Sequence, residues 1–201
     1  EGGHRKKWMA LFVRQRRLAW ERNTCDMEIR PLEREDAEVY QKLLHQAYRP
    51  VLDLGIHFAA ATADLATISQ HLHTNLVFGG FIQGKLVCSI SLRLPWGNNP
   101  GPFGVPHIGW LATHPDYKKQ GLAIQLLNWV EKHILLQQLK VPFVTLGTAE
   151  NHPWLSQFYL SQGFEEVGRA DLIADHTTIY YRKILNQTLF EDYQQHHTQK
   201  N

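Results

Sequence analysis

One stretch limits what this chain can fold into more than any other: Leu111-Ala-Thr-His-Pro-Asp-Tyr-Lys-Lys-Gln-Gly-Leu-Ala123, where a strand-like run passes into a helix through a basic turn that carries a glycine. Residues Pro106 to Thr113 are short and largely apolar, which is the pattern of a buried strand. After Pro115 and Lys118-Lys119-Gln120-Gly121, the apolar residues Ala123, Leu126, Leu127, Val130 and Ile134 recur three and four apart, as on one face of a helix. The first N–H groups of a helix have no internal partners and carry the positive end of its dipole, and a glycine there lets an anion come close. The turn therefore predicts a phosphate site at a helix N-terminus.

The rest of the chain alternates strands and helices in the same way. A strand is expected over 27–31, helices over 33–47 and 62–72, and a hairpin of strands 75–82 and 85–94 closed at Gln83-Gly84. Pro95 to Pro106 is rich in Pro, Gly and Asn and reads as a loop free to cover a site. Then come strand 107–113, helix 121–139, strand 142–148, helix 152–162 and strands 164–168 and 177–184. Residues 186–201 are polar and read as a loosely ordered tail.

Residues 1–26 stand apart as a basic extension. They hold seven of the 21 basic residues against three acids, a net of +4, so the remainder carries −2 and is no general nucleic-acid binder by charge. Trp8, Leu11, Phe12 and Leu18 beside Arg5, Lys6, Lys7, Arg14, Arg16 and Arg17 make the pattern of a basic amphipathic helix. The run Met9 to Val13, stopped by Arg14, is too short for a secretory core or a membrane span. Two cysteines, Cys25 and Cys88, allow one disulfide at most, and Cys88 sits in a strand-like run, so a reducing cytoplasm is the expected compartment. Among twelve histidines, His71-x-His73 and His196-His197 lie nearest each other, yet no further ligand type closes a metal site.

The turn Lys118-x-x-Gly121-x-Ala123 resembles the Q/R-x-x-G-x-G/A loop with which the GNAT N-acetyltransferase superfamily binds the pyrophosphate of coenzyme A, with lysine where the family has Gln or Arg. Further on, Phe158-Tyr-Leu-Ser-Gln-Gly-Phe164 resembles the family's second signature, a helix tyrosine followed by Gly-Phe. Met27-Glu-Ile-Arg-Pro-Leu-Glu-Arg-Glu-Asp-Ala looks like its first strand and the entry to its first helix. The resemblance spans residues 27–185. It implies a mixed, mostly antiparallel α/β sheet flanked by helices, with the fourth and fifth strands parallel and splayed to admit acetyl-CoA.

By the same resemblance, coenzyme-binding residues are Leu111, Ala112 and Thr113 along the pantetheine arm, Lys118, Lys119, Gln120, Gly121, Leu122 and Ala123 at the pyrophosphate, and Asn151 near the second helix. Asn151 lies eight residues before Tyr159, where the family's asparagine is usually seven before its tyrosine. An N–H of strand 111–113 would face the carbonyl oxygen as it gains charge. Tyr159 matches the general acid that protonates the leaving thiolate.

The acceptor must lose a proton, because an amine of pKa about 10.4 is only about one part in a thousand neutral near pH 7.4. His107, at the position where some protein-acetylating members carry a glutamate, is a candidate base, and Glu150 competes with it. Trp96, Phe103 and Trp110 are candidate acceptor-side residues. No nucleophile elbow is present, so direct transfer in a ternary complex is expected. The acceptor is a primary amine of a small molecule or a protein, and sheet edges with six tryptophans leave room for a homodimer. The rival reading is a non-catalytic acyl-CoA-binding regulatory module of the same fold.

Overall fold

The computed structural model describes residues 27–152, 154–173 and 176–198, with the side chains of 172, 173, 176 and 198 left aside. The basic extension and Cys25 lie outside the described residues. The strands are β1 (Met27–Pro31), β2 (Leu76–Ile82), β3 (Lys85–Arg93), β4 (His107–Thr113), β5 (Phe143–Ala149), β6 (Glu165–Ile173) and β7 (His176–Ile184). They form one sheet in the order β1-β2-β3-β4-β5-β7-β6. Every neighbouring pair is antiparallel except β4 and β5. The helices are α1 (Ala37–Leu52), α2 (Leu65–Thr74), α3 (Leu122–Trp129), α4 (Leu155–Ser161) and α5 (Gln187–Thr198).

Local chemistry sets the helix starts. Ahead of α1, the Asp36 carboxylate accepts from the Glu33 backbone N–H at 2.8 Å and takes both terminal nitrogens of Arg30, each at 2.8 Å. Asp64 caps α2 by accepting from Thr67 N–H at 2.8 Å. Gly121 starts α3 with a left-handed φ of 75°.

The sheet is buried on both faces. Residues such as Val87, Ile108, Val144, Leu146 and Tyr181 pack with Leu126, Leu127 and Val130 of the α3 segment and Tyr159 of α4. Val77, Phe81, Leu86 and Ala112 pack with Tyr40, Leu43 and Leu44 of α1 and Ile68 and Leu72 of α2.

Three elements differ from expectation. The helix expected over 121–139 is α-helical only to Trp129 and continues as a π-helix over Val130–Leu136, with Gln137 N–H reaching Lys132 and Leu139 N–H reaching Ile134. The wider turn keeps Val130, Ile134 and Leu135 in the core and turns Glu131 inward, where Lys183 donates to it at 2.7 Å. The strand expected over 164–168 runs to Ile173, because β7 supplies partners along its whole length through two bulges. The tail expected to be loose contains α5, which buries Phe190 against Phe143 and Val105. Phe190 and Tyr193, three apart on that helix, both meet the Phe143 ring.

Candidate active site

The site begins where β4 and β5 part. Only His107 with Thr145 and Ile108 with Leu146 are paired between them, so Gly109 to Thr113 run free on the β5 side. A bulge opens the gap: between the β3 pairings of Gly109 with Ser91 and Ala112 with Ser89, β4 carries one extra residue. Trp110 absorbs it at a φ of 49°, a left-handed conformation that costs a bulky residue on the order of 1–3 kcal/mol. That cost is met by contacts on both sides. The Trp110 ring lies flat on the His71 ring, with centroids 3.7 Å apart and planes 6° apart, and the Tyr48 hydroxyl of α1 donates to the Leu111 carbonyl at 2.9 Å.

Beyond β4 the turn is built from backbone. The His114 ring nitrogen accepts from Asp116 N–H at 3.2 Å, Pro115–Tyr117 make one 3-10 turn, and Lys119 and Gly121 both adopt left-handed φ, 62° and 75°. The first hydrogen bond of α3 is donated by Gln125 to Gly121, so the N–H groups of Leu122, Ala123 and Ile124 precede it. Alternating handedness of this kind is the backbone pattern that can curl successive amides into a nest for an anion. Lys118, Lys119 and Gln120 are exposed around it, and Leu122 is buried beneath.

Tyr159 is 5% exposed on α4, among Phe158, Phe164 and Tyr181. Burial pushes its phenol well above the usual tyrosine range, and the Tyr48 phenol, whose nearest ionisable influence is Tyr159, is pushed the same way. Thr148 on β5 has a buried hydroxyl with no hydrogen-bond partner. Asn151 is exposed in the turn before α4. His152 occupies the position seven residues before Tyr159 and was not singled out by sequence reasoning. Its Nδ1 accepts from Leu155 N–H at 3.3 Å, and burial together with nearby Lys118 pulls its pKa down to about 4. His152 thus caps the start of α4 within reach of the Lys118 charge.

The opposite face of the opening is lined by side chains from separate elements. Ser89, Ser91 and Arg93 alternate along β3, and Ser91 Oγ meets His71 Nε2 at 2.7 Å. Arg93 is paired across the ladder with His107, whose Nδ1 lies 2.8 Å from Thr145 Oγ1. Tyr180 of β7 reaches the His107 and Phe103 rings, and Gly101 of the Pro95–Pro106 loop lies so close to His107 that an added Cβ would sit 2.4 Å from the His107 Cβ. The loop thus covers the His107 end of the face, with Phe103 inward and Trp96 exposed.

Burial and the Arg93 charge hold His107 at a pKa of about 3 and His71 at about 4, so both are neutral near pH 7. Glu150 is exposed and ion-paired with Arg169. Among the described residues no three His, Cys, Asp or Glu side chains gather as a metal site, and no helix is long and apolar enough to cross a membrane.

A sequence profile described as the acetyltransferase (GNAT) domain matches residues 75–166. The chain is 46% identical over 154 residues to S-(2-succino)cysteine N-acetyltransferase of Bacillus subtilis (strain 168), covering 77% of this chain and 93% of that one. It is 37% identical over 132 residues to S-alkylcysteine N-acetyltransferase of the same organism, covering 65% and 74%. The fold matches the PaiA N-acetyltransferase of Thermoplasma acidophilum, solved in complex with coenzyme A, with a TM-score of 0.60 at 16% identity over 79% of this chain and 98% of that one. At 46% identity across 93% of a curated N-acetyltransferase, the chain belongs to the GNAT family and is an acetyltransferase.

Proposed function

We propose that this enzyme transfers an acetyl group from acetyl-CoA to the amino group of an S-substituted cysteine, directly, with both substrates bound at once. The observation that carries the reading is the 46% identity to S-(2-succino)cysteine N-acetyltransferase across 93% of that enzyme. The acceptor face carries one arginine, Arg93, and two neutral histidines, His71 and His107, which suits a conjugate that bears carboxylates.

The turn suits the coenzyme: left-handed Lys119 and Gly121 precede the unbonded amides of α3, and Lys118 and Lys119 add charge for the pyrophosphate. Leu111, Ala112 and Thr113, unpaired toward β5, offer strand-like hydrogen bonds to the pantetheine amides. Asn151, Gln120, Leu122 and Ala123 complete the coenzyme contacts in this reading. Acetyl-CoA supplies the activated thioester carbonyl. Tyr48 fixes the Leu111 carbonyl and with it the bulge, which orients the strand N–H groups toward the oxygen that gains charge. Tyr159, kept protonated by burial, donates to the departing thiolate.

The base is assigned to water. A histidine of pKa about 3 is too weak to take a proton from an ammonium, so His107 is a positioning residue that holds Thr145 and shapes the acceptor face. Glu150 lies exposed and is engaged by Arg169.

The test is thiol release from acetyl-CoA with S-(2-succino)cysteine, S-methylcysteine, spermidine and a lysine-containing peptide offered separately. Turnover of the cysteine conjugates is expected. Turnover confined to spermidine or the peptide would remove this reading.

A further inference from the structure

Resting on that acceptor reading, we infer that Arg93 determines specificity: its guanidinium takes a carboxylate on the S-substituent, remote from the reacting amine, and so selects acidic cysteine conjugates over apolar ones. Three half-buried arginines occur among the described residues. Arg30 holds Asp36 at 2.8 Å and Arg182 holds Glu165 at 2.6 Å. Among the described residues the Arg93 guanidinium has no acidic partner, and it donates to the Asn99 side chain at 3.4 Å. Burial accordingly pulls its pKa below the usual arginine value, the sign of a cation held without a counter-ion. Desolvating a cation in this way is costly unless an anion arrives to pair with it.

The surroundings favour an anion. His71 and His107 both feel the Arg93 charge, which helps hold them neutral, so the guanidinium is the cation of this face. Ser89 and Tyr40, on the same side of the sheet, are fully buried and turn their hydroxyls toward each other, so this face is polar beneath Arg93. Asn99 belongs to the Pro95–Pro106 loop, so the covering loop contacts the same guanidinium.

Distance selects which carboxylate is read. Arg93 is paired with His107, four residues before Leu111 on β4, and at about 3.3 Å per residue that is about 13 Å along the strand from Leu111. A cysteine α-carboxylate lies two bonds from the amine and would stay near the thioester. The carboxylates of a succino group lie beyond the sulfur, toward Arg93. An S-methyl group has nothing to offer there.

The experiment measures kcat and KM of Arg93→Gln and Arg93→Lys with S-(2-succino)cysteine and with S-methylcysteine, with acetyl-CoA affinity by calorimetry as the check on folding. Arg93→Gln should lower kcat/KM for S-(2-succino)cysteine roughly 10- to 100-fold, the range for a hydrogen bond to a charged group, and mainly through KM. S-Methylcysteine should change less than about twofold, and Arg93→Lys should recover part of the loss because it keeps the charge but not the fork. Equal losses on both substrates, or none on either, would overturn the role of Arg93 while leaving the acceptor class intact. Wild-type enzyme that turns over neither conjugate would overturn the acceptor reading and this inference together.

Discussion

The two sides of the β4–β5 opening are made of different materials. The proposed coenzyme side is backbone: left-handed Lys119 and Gly121, free helix amides and an unpaired strand. The acceptor side is side chains drawn from β3, β4, β5, β7 and α2, which meet only after the sheet has formed. Backbone geometry within a dozen consecutive residues suits a ligand that is always the same. Side chains gathered across a sheet can be exchanged one at a time, so the acceptor can change while the fold and its cosubstrate stay.

The comparison can be broken first at the tyrosine that both sides share. Tyr159→Phe should cut kcat by roughly 10²- to 10⁴-fold, the usual worth of a general acid, and leave acetyl-CoA affinity unchanged. A loss of affinity with unchanged kcat would place Tyr159 in binding instead.

On the backbone side, Gly121→Val forces a branched side chain into a φ of 75° although an added Cβ there meets nothing within 4 Å. The strain, about 1–3 kcal/mol, should distort the nest and weaken acetyl-CoA binding by about tenfold or more in calorimetry. Dephospho-pantetheine, which lacks the pyrophosphate, should bind the variant and the wild type equally. If acetyl-CoA binding is also unchanged, the nest is not the pyrophosphate site.

On the side-chain side, pH gives a comparable effect. His107 has a folded pKa of about 3 against about 6.5 unfolded, so the unfolded chain binds the proton first as pH falls. The stability that its neutral form contributes is complete above about pH 6.5 and is lost progressively down to about pH 3, about 2 kcal/mol of it by pH 5. Thermal melts from pH 8 to 4 should fall more steeply for the wild type than for His107→Gln. Parallel curves would mean that His107 is not held neutral.

The smallest effect is expected where the two sides touch. Tyr48→Phe removes one hydrogen bond to Leu111, worth about 0.5–1.5 kcal/mol, and should lower kcat by roughly 2- to 10-fold without changing either KM. An unaltered kcat would mean that the bulge holds its shape without Tyr48.

The same division governs what the sequence reveals. The expected strand 107–113 coincides with His107–Thr113, and the nest was legible because glycine, lysines and the helix periodicity all lie within one window. Trp110 was not legible as a left-handed residue, since no residue type other than glycine announces that conformation reliably. Arg93 looked like the end of a strand, and only the register with His107 and the approach of α2 place it on the acceptor face. His107 was legible as a site residue but not in its role, because the burial and the Arg93 charge that lower its pKa come from other strands. His152 was passed over for its neighbour Asn151, although it sits at the family spacing. The helix α5 was hidden by its many polar residues, which outweigh the pair Phe190 and Tyr193.

In the proposed reaction both substrates occupy opposite sides of one opening at once. Initial rates measured over a matrix of acetyl-CoA and S-(2-succino)cysteine concentrations test this most directly. Intersecting double-reciprocal lines are predicted, as for transfer within a ternary complex. Parallel lines would mean that the acetyl group first passes to the protein, and would contradict the account.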